Sequence, residues 1–312
     1  MQALSLVALL LALPPCARAV TPPSVITHVF VIAMENRDAS QIYANTASAP
    51  YISGMLVPGF ARATNFTDEL PLALPSEPHY VWMEAGTNVL PGRTFTTNDP
   101  PSASNSTASR AHLTAQIERA TTGVTWRTYQ QGLNVATGAC PVRADGFYAP
   151  KHDPFIFFQD VSGSPPSATT PTCALHHRPY DAFACDLAAG DVASYTFITP
   201  DLCNDMHGAR GCPGSDPILT GDTWLKTELP RVIDYANRNA GVIFLTWDEG
   251  EGSDTIPFLA IGPGVKTGYA GSVPYTHSSL LKSVEQILGL PILPAVFQAN
   301  DLSDLFKAGQ YP

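Results

Sequence analysis

The chain has 312 residues, 45% of them hydrophobic and only 14% charged, with a formal net charge of −10. That is enough apolar chain for one large α/β domain or two ordinary ones. The acidic balance argues against a nucleic-acid partner, which needs a basic stripe, and against electrostatic docking on an anionic membrane.

In chain order, residues 1–19 come first: a short apolar run closing on Ala17-Arg18-Ala19. This pattern predicts a cleaved signal peptide and a secreted or periplasmic protein. The run is too short for a bilayer, which takes roughly 20 apolar residues, so no stable membrane insertion is expected. Residues 28–34 (HVFVIAM) read as a strand buried on both faces, and Glu35-Asn36 follow at once. Ser76 then stands between Pro75 and Pro78 at a loop-to-helix junction. Its hydroxyl lies near free backbone N–H groups that suit phosphate, and it also reads as a simple N-cap. No G-x-S-x-G elbow accompanies it, so a serine esterase of the α/β-hydrolase kind is not indicated.

Residues 96–109 and 162–172 are low-complexity and read as surface loops, with a helix expected over 109–120. A strand over 195–200 runs into Asn204, Asp205 and His207. A helix over 221–239 leads to the strand 241–247 (GVIFLTW), which ends in Asp248-Glu249. A fourth strand, 257–264, ends in glycines, and a helix over 276–289 opens on Thr276 as its N-cap. Alternating strands and helices imply a three-layer α/β/α fold with a mostly parallel central sheet. In such a sheet, polar residues just past the strand ends gather along one edge, where ligands bind. Glu35-Asn36, Asp248-Glu249 and Asn204-Asp205-His207 all occupy that position, and together they are a metal-ligand inventory. Taken singly, Glu35 or the Asp248-Glu249 pair reads as an ordinary helix-terminus acid.

Cleavage after Ala19 would leave five cysteines, an odd count. Cys203 and Cys212 end one short loop and predict a disulfide. Cys140 and Cys173 flank a Pro- and Ser-rich segment and predict a second. Cys185 is then expected to be a buried free thiol. No pair has C-x-x-C spacing, which argues against a zinc ribbon.

HVFVIAMEN, LPSEPHY, YAPKHDPF, FITPDLCNDMH, GDTWL, FLTWDEGEG and YTHSSLLKSVEQILG occur in this order, and the resemblance they carry runs from about His28 to Phe306. This set resembles the phosphoesterase family of acid phosphatases and bacterial phospholipases C, similar in fold to alkaline phosphatase. The resemblance implies a single phosphoesterase domain over 20–312 and a metal-dependent phosphoric-ester hydrolase. It assigns the divalent metal (Ca, Mg, Mn or Zn) to Glu35, Asn36, Ser76, Asp248 and Glu249. It makes Ser76 the nucleophile, and gives His207 and His277 catalytic roles. It places His79, His152, Asn204 and Asp205 against a small phosphate-ester substrate. The sequence departs from the family in three places: His79 and Asp153 where Asn is usual, and Glu249 where Asp or His is found. An oxygen-rich ligand set favours a hard cation, and histidines in the shell favour zinc.

The resulting expectation is a phosphomonoesterase working through a phosphoseryl intermediate. A phospholipase C-type diesterase is the alternative, with Trp82, Met83, Phe155, Phe157 and Phe158 as candidates to line an apolar groove. A secreted binding protein that has lost turnover on the same scaffold is a further alternative.

Overall fold

The computed structural model describes residues 26–133, 138–252 and 255–312. The expected signal peptide and Cys16 lie outside the described residues. Ten strands are described: β1 His28–Met34, β2 Ala61–Ala63, β3 Val89–Leu90, β4 Arg93–Thr94, β5 Trp126–Gln130, β6 His177–Pro179, β7 Tyr195–Thr199, β8 Gly241–Trp247, β9 Phe258–Ile261 and β10 Ala270–Gly271. Eight form one sheet in the order β10-β2-β9-β8-β1-β7-β5-β6, and β3 and β4 make a small separate hairpin.

The middle of the sheet is parallel. β1 pairs with β8 from His28↔Gly241 to Met34↔Trp247, and with β7 from Val29↔Tyr195 to Ile32↔Ile198. All seven residues of β8 are buried, as are six of the seven in β1. These strands are therefore covered on both faces, which is why they lack polar alternation. Each large side chain fully buried in this way contributes about 1.5–3 kcal/mol of transfer free energy. The 22-residue helix Pro217–Arg238 makes the crossover from β7 to β8. A parallel return requires such a crossover.

The fourth strand foreseen in the sequence differs in direction. β9 runs antiparallel to β8, with Thr246 opposite Phe258 and Ile243 opposite Ile261. The connection 248–257 holds no helix among its described residues, so the chain turns back beside its own strand.

The helices also differ at their ends. The helix foreseen over 109–120 is confined to Leu113–Arg119. Upstream, Ser109 N donates to Thr107 Oγ1 and Ala111 N to Ser109 Oγ, local turns that compete with helix. The helix foreseen from 221 starts at Pro217, where Asp216 caps it by accepting from Leu219 N at 3.1 Å. Thr276 is the N-cap of the helix His277–Ile287, and its N–H donates to Ser279 Oγ. The 96–109 stretch is not wholly surface loop: Asn105, Ser106 and Thr107 are buried, and Asn105 Nδ2 donates to Glu77 Oε2 at 3.0 Å.

Both disulfides form as the spacing predicts, with Cα–Cα distances of 5.1 Å for Cys140–Cys173 and 5.2 Å for Cys203–Cys212. Cys185 is free but exposed, not buried. It lies on the short helix Phe183–Ala189, which buries Phe183 and Asp186 and leaves the cysteine outside.

Candidate active site

Register puts the ends of β1, β7 and β8 side by side, and hydrogen bonds lace together the segments that leave them. Glu35 N donates to Asp205 O at 2.8 Å, and Asn36 N donates to Asp248 Oδ1 at 3.0 Å. The Arg37 guanidinium donates to Asn36 O and to Met206 O. Met206 adopts φ +78°, a left-handed conformation rare for a side chain of its size. The turn it makes lets His207 N return to Asp205 Oδ1 at 2.9 Å. The Cys203–Cys212 bridge closes the same loop.

Ser76 is the first residue of the helix Ser76–Ala85, with Pro75 in the cap position. It is therefore one residue inside the helix rather than its N-cap. Its hydroxyl donates to Glu35 Oε2 at 3.1 Å and accepts from Lys151 Nζ at 3.2 Å. Pro78 carries no N–H and Glu77 N is taken by Asn98 Oδ1, which reduces the amides left open in the first turn.

The imidazoles fall into two groups. His152 Nε2 is 3.0 Å from Glu35 Oε1, and its ring stacks on Tyr80 at 5.0 Å. His207 Nδ1 is 3.4 Å from Glu35 Oε2, and 45% of its side chain is exposed. These two face the serine's carboxylate partner. His79 and His277 are fully buried behind other contacts. His79 Nδ1 is 2.6 Å from Asp68 Oδ2 and its Nε2 3.6 Å from Glu249 Oε2. His277 Nε2 donates to the Asp248 carbonyl at 2.6 Å. Their contacts are with the acids, not with Ser76. Asn204 stands further off, its amide on Gln131 Oε1.

Electrostatics set the state of the acids. Burial alone would raise the Glu35 carboxyl, but His152, His207 and Lys151 hold it well below the usual range. Burial and the Glu35 charge push Asp248 well up from the usual carboxylate range. Burial, with Glu35 adding to it, also raises Asp205 to about 8. Burial raises Glu249 to about 7, against the pull of His79. The His207 imidazole is held above its usual range by its bond to Glu35.

Among the described residues, no three His, Cys, Asp or Glu side chains close around one point as they stand. The donor set nevertheless has the chemistry of a hard-cation site. Asn36 Oδ1 and Asp248 Oδ2 are buried without a hydrogen-bond partner. Carboxyls whose pKa is raised by burial and mutual repulsion would ionise more readily beside a divalent ion.

Three residues at this rim escaped sequence reading: Lys151, Asp68 and Tyr80. Lys151 lies inside a motif already singled out, next to His152, and that adjacency was the available signal. Asp68 lies in a stretch with no periodic pattern. Tyr80 follows His79 on the helix that carries Ser76.

The phosphoesterase family model matches residues 60–291. Over 95% of its length the chain is 28% identical to the phosphatidylinositol-3-phosphatase of Mycobacterium tuberculosis, of which it covers 88%. Over 54% of its length it is 26% identical to the phosphate-repressible acid phosphatase of Penicillium chrysogenum, and it spans only 40% of that protein. Among solved structures, a Vibrio parahaemolyticus protein of the alkaline phosphatase superfamily superposes with a TM-score of 0.55 at 10% identity, covering 90% of this chain and 71% of its own. The phosphonate monoester hydrolase of Silicibacter pomeroyi gives 0.53 at 14% identity, with 92% and 77% covered. These likenesses show the fold, an alkaline-phosphatase-like α/β architecture. With the family match over most of its length, the chain belongs to the phosphoesterase family, enzymes that hydrolyse phosphoric esters.

Proposed function

We propose that this phosphoesterase is an exported, metal-dependent phosphomonoesterase in which Ser76 is the nucleophile. The observation that carries the reading is the Ser76 hydroxyl at a helix start, 3.1 Å from the buried carboxylate of Glu35. Glu35, Asn36, Ser76, Asp248 and Glu249 would hold the cation, and their oxygen-rich character favours Mg, Ca or Mn. A cation bound there neutralises the acids and lowers the pKa of the serine hydroxyl.

The chain's own groups supply the rest. Ser76 sheds its proton to solvent and its oxygen attacks phosphorus in line. His207, whose contact with Glu35 favours the imidazolium and which is open to solvent, gives its proton to the departing alcohol. The same imidazole, now neutral, takes a proton from the water that cleaves the phosphoseryl ester. Ser76 takes a proton back from solvent as phosphate leaves. A cleft of about 280 Å³ beside His207, lined by Gly208, Arg210 and Pro217, offers room for a small leaving group.

Two observations favour a monoester over a phospholipase C substrate. Phe155, Phe157, Phe158 and Met83, named as candidates for an apolar groove, belong to the hydrophobic core, and the half-buried Trp82 spends its indole N–H on Ser278 Oγ at 2.9 Å. Both relatives named above are phosphatases by name. No helix among the described residues is long and apolar enough to cross a membrane. Export is supported by the two disulfides, which persist in oxidising compartments.

The test is a metal-by-substrate panel, with p-nitrophenyl phosphate set against p-nitrophenyl phosphorylcholine after chelation and re-addition of each cation. Metal-restored turnover of the monoester is expected. Turnover of the diester alone would favour the phospholipase reading, and turnover of neither would favour the binding protein.

A further inference from the structure

We propose that Lys151 is a catalytic and specificity-determining residue, whose ammonium binds a non-bridging oxygen of the transferring phosphoryl group and favours dianionic monoesters over monoanionic diesters. The inference rests on the reading of Ser76 as nucleophile. It starts from a contact that ordinary stability does not explain. Lys151 Nζ donates to Ser76 Oγ at 3.2 Å, a half-buried cation placed on a neutral hydroxyl. No ion pair of Lys151 with a carboxylate is found among the described residues within 4.0 Å, although the Glu35 charge is near enough to feel it. An ammonium has three donors, and the serine takes one. Two remain on an ammonium that sits 3.2 Å from the serine, where the substrate of the proposed reaction is an anion.

The lysine is also held in place. It is the middle residue of the short 3-10 turn Pro150–His152, and Pro154 opens the next turn. Thr199 Oγ1, at the end of β7, donates to His152 O at 3.2 Å. His152 itself is fixed between Tyr80 and Glu35. Adjacent residues therefore address the two partners of one hydrogen bond: Lys151 the serine, His152 the carboxylate. A donor positioned before reaction costs no reorganisation as charge moves.

During transfer the Ser76 Oγ–P bond forms while the P–O bond to the alcohol breaks. The alcohol departs with the proton of His207, and Lys151 keeps all its protons. A monoester dianion brings one more negative charge to the ammonium than a diester does. The gain from a second fixed cation, beyond the metal, is correspondingly greater for the monoester.

The test compares the metal-loaded wild type with Lys151→Met and Lys151→Arg at pH 7.5. It measures kcat/KM on p-nitrophenyl phosphate and bis-p-nitrophenyl phosphate, and inorganic phosphate affinity by calorimetry. Loss of one preorganised donor typically costs about 10²–10³-fold. Lys151→Met should lose about that much on the monoester and roughly tenfold or less on the diester, with phosphate bound at least about tenfold more weakly. Lys151→Arg should keep the monoester preference. Equal losses on both esters with unchanged phosphate affinity would mean that Lys151 only orients the serine, and would overturn the proposal. So would a fully active Lys151→Met enzyme, which leaves the phosphatase reading standing. A wild type that hydrolyses neither ester would overturn both.

Discussion

Ser76 Oγ and Glu35 Oε2 lie 3.1 Å apart although they stand 41 positions apart in the chain, one opening a helix and the other directly following the central strand β1. The contact joins the two parts of the site, and substitutions on its two sides should behave differently. Ser76→Ala should lower kcat by about 10³-fold or more, as expected for a lost nucleophile, at a stability cost of roughly 0.5–1.5 kcal/mol for one hydrogen bond. Glu35→Gln should lose metal and activity together, because it removes anionic charge from the donor set. Metal content and kcat measured on both variants check this. A Ser76→Ala protein that lost its metal as completely as Glu35→Gln would contradict the division of roles.

The 203–212 loop should couple stability to turnover. Replacing Cys203 and Cys212 by Ser should cost about 2–3 kcal/mol and lower kcat, since the loop carries Asp205 and His207. Replacing Cys140 and Cys173 should cost stability with a smaller effect on kcat, because neither cysteine borders the loop that carries Asp205 and His207. Denaturant unfolding and kinetics on the two double variants make the comparison. Equal effects on turnover would remove the special role given to the first bridge.

Gly221 tests the same loop from outside. A Cβ there would meet Met206 Cγ at 2.3 Å and Asn204 O at 2.9 Å. Glycine is required by this close approach of the Pro217–Arg238 helix to the loop. Gly221→Ala should destabilise by about 1–3 kcal/mol through overpacking and lower kcat by moving His207. Wild-type stability and turnover in this variant would show that the loop is not clamped between the helix and β1.

A second buried acid cluster gives a pH signature independent of catalysis. Glu285 is buried, accepts from Leu293 N at 3.0 Å and leaves Oε2 without a partner. Burial, with Glu84 adding to it, raises its carboxyl to about 8 from 4.5. The folded chain then holds a proton that the unfolded chain releases, so this contribution is full below pH 4.5 and falls until about pH 8. His112 titrates with the same sign. Burial lowers its pKa, but Asp160 and Glu84 lift it above the usual range, so its contribution also fades as pH rises. Glu285→Gln keeps the shape and removes one charge. It should stabilise the protein by on the order of 2–4 kcal/mol at pH 8 and by almost nothing at pH 4.5. Thermal unfolding at the two pH values decides it, and an equal change at both would show that Glu285 is not protonated in the fold.

Much of this arrangement was legible in the sequence because the informative segments are long and strongly patterned. HVFVIAM and GVIFLTW are continuous apolar runs, and each matches its strand at both ends. The acids after them were recognisable from their place at a common edge. The two-residue strand β10 and the three-residue strands β2 and β6 are too short to show a period. The direction of β9 depends on what connects it to β8, not on its own residues. Distinguishing His152 and His207 from His79 and His277 required tertiary contacts, since all four stand in similar motif contexts. A lone lysine in sequence usually marks a solvated surface, so the histidine beside Lys151 carries the stronger signal.

In the proposed mechanism phosphate passes through Ser76. Metal-loaded enzyme should be quenched in acid during steady turnover of a phosphomonoester, digested, and mapped for phosphate. Phosphate is expected on the Ser76 peptide in the wild type and none in Ser76→Ala, whose kcat should be lower by orders of magnitude. A Ser76→Ala enzyme with near-normal kcat, and phosphate on no serine in either protein, would contradict this mechanism and show that water attacks phosphorus directly.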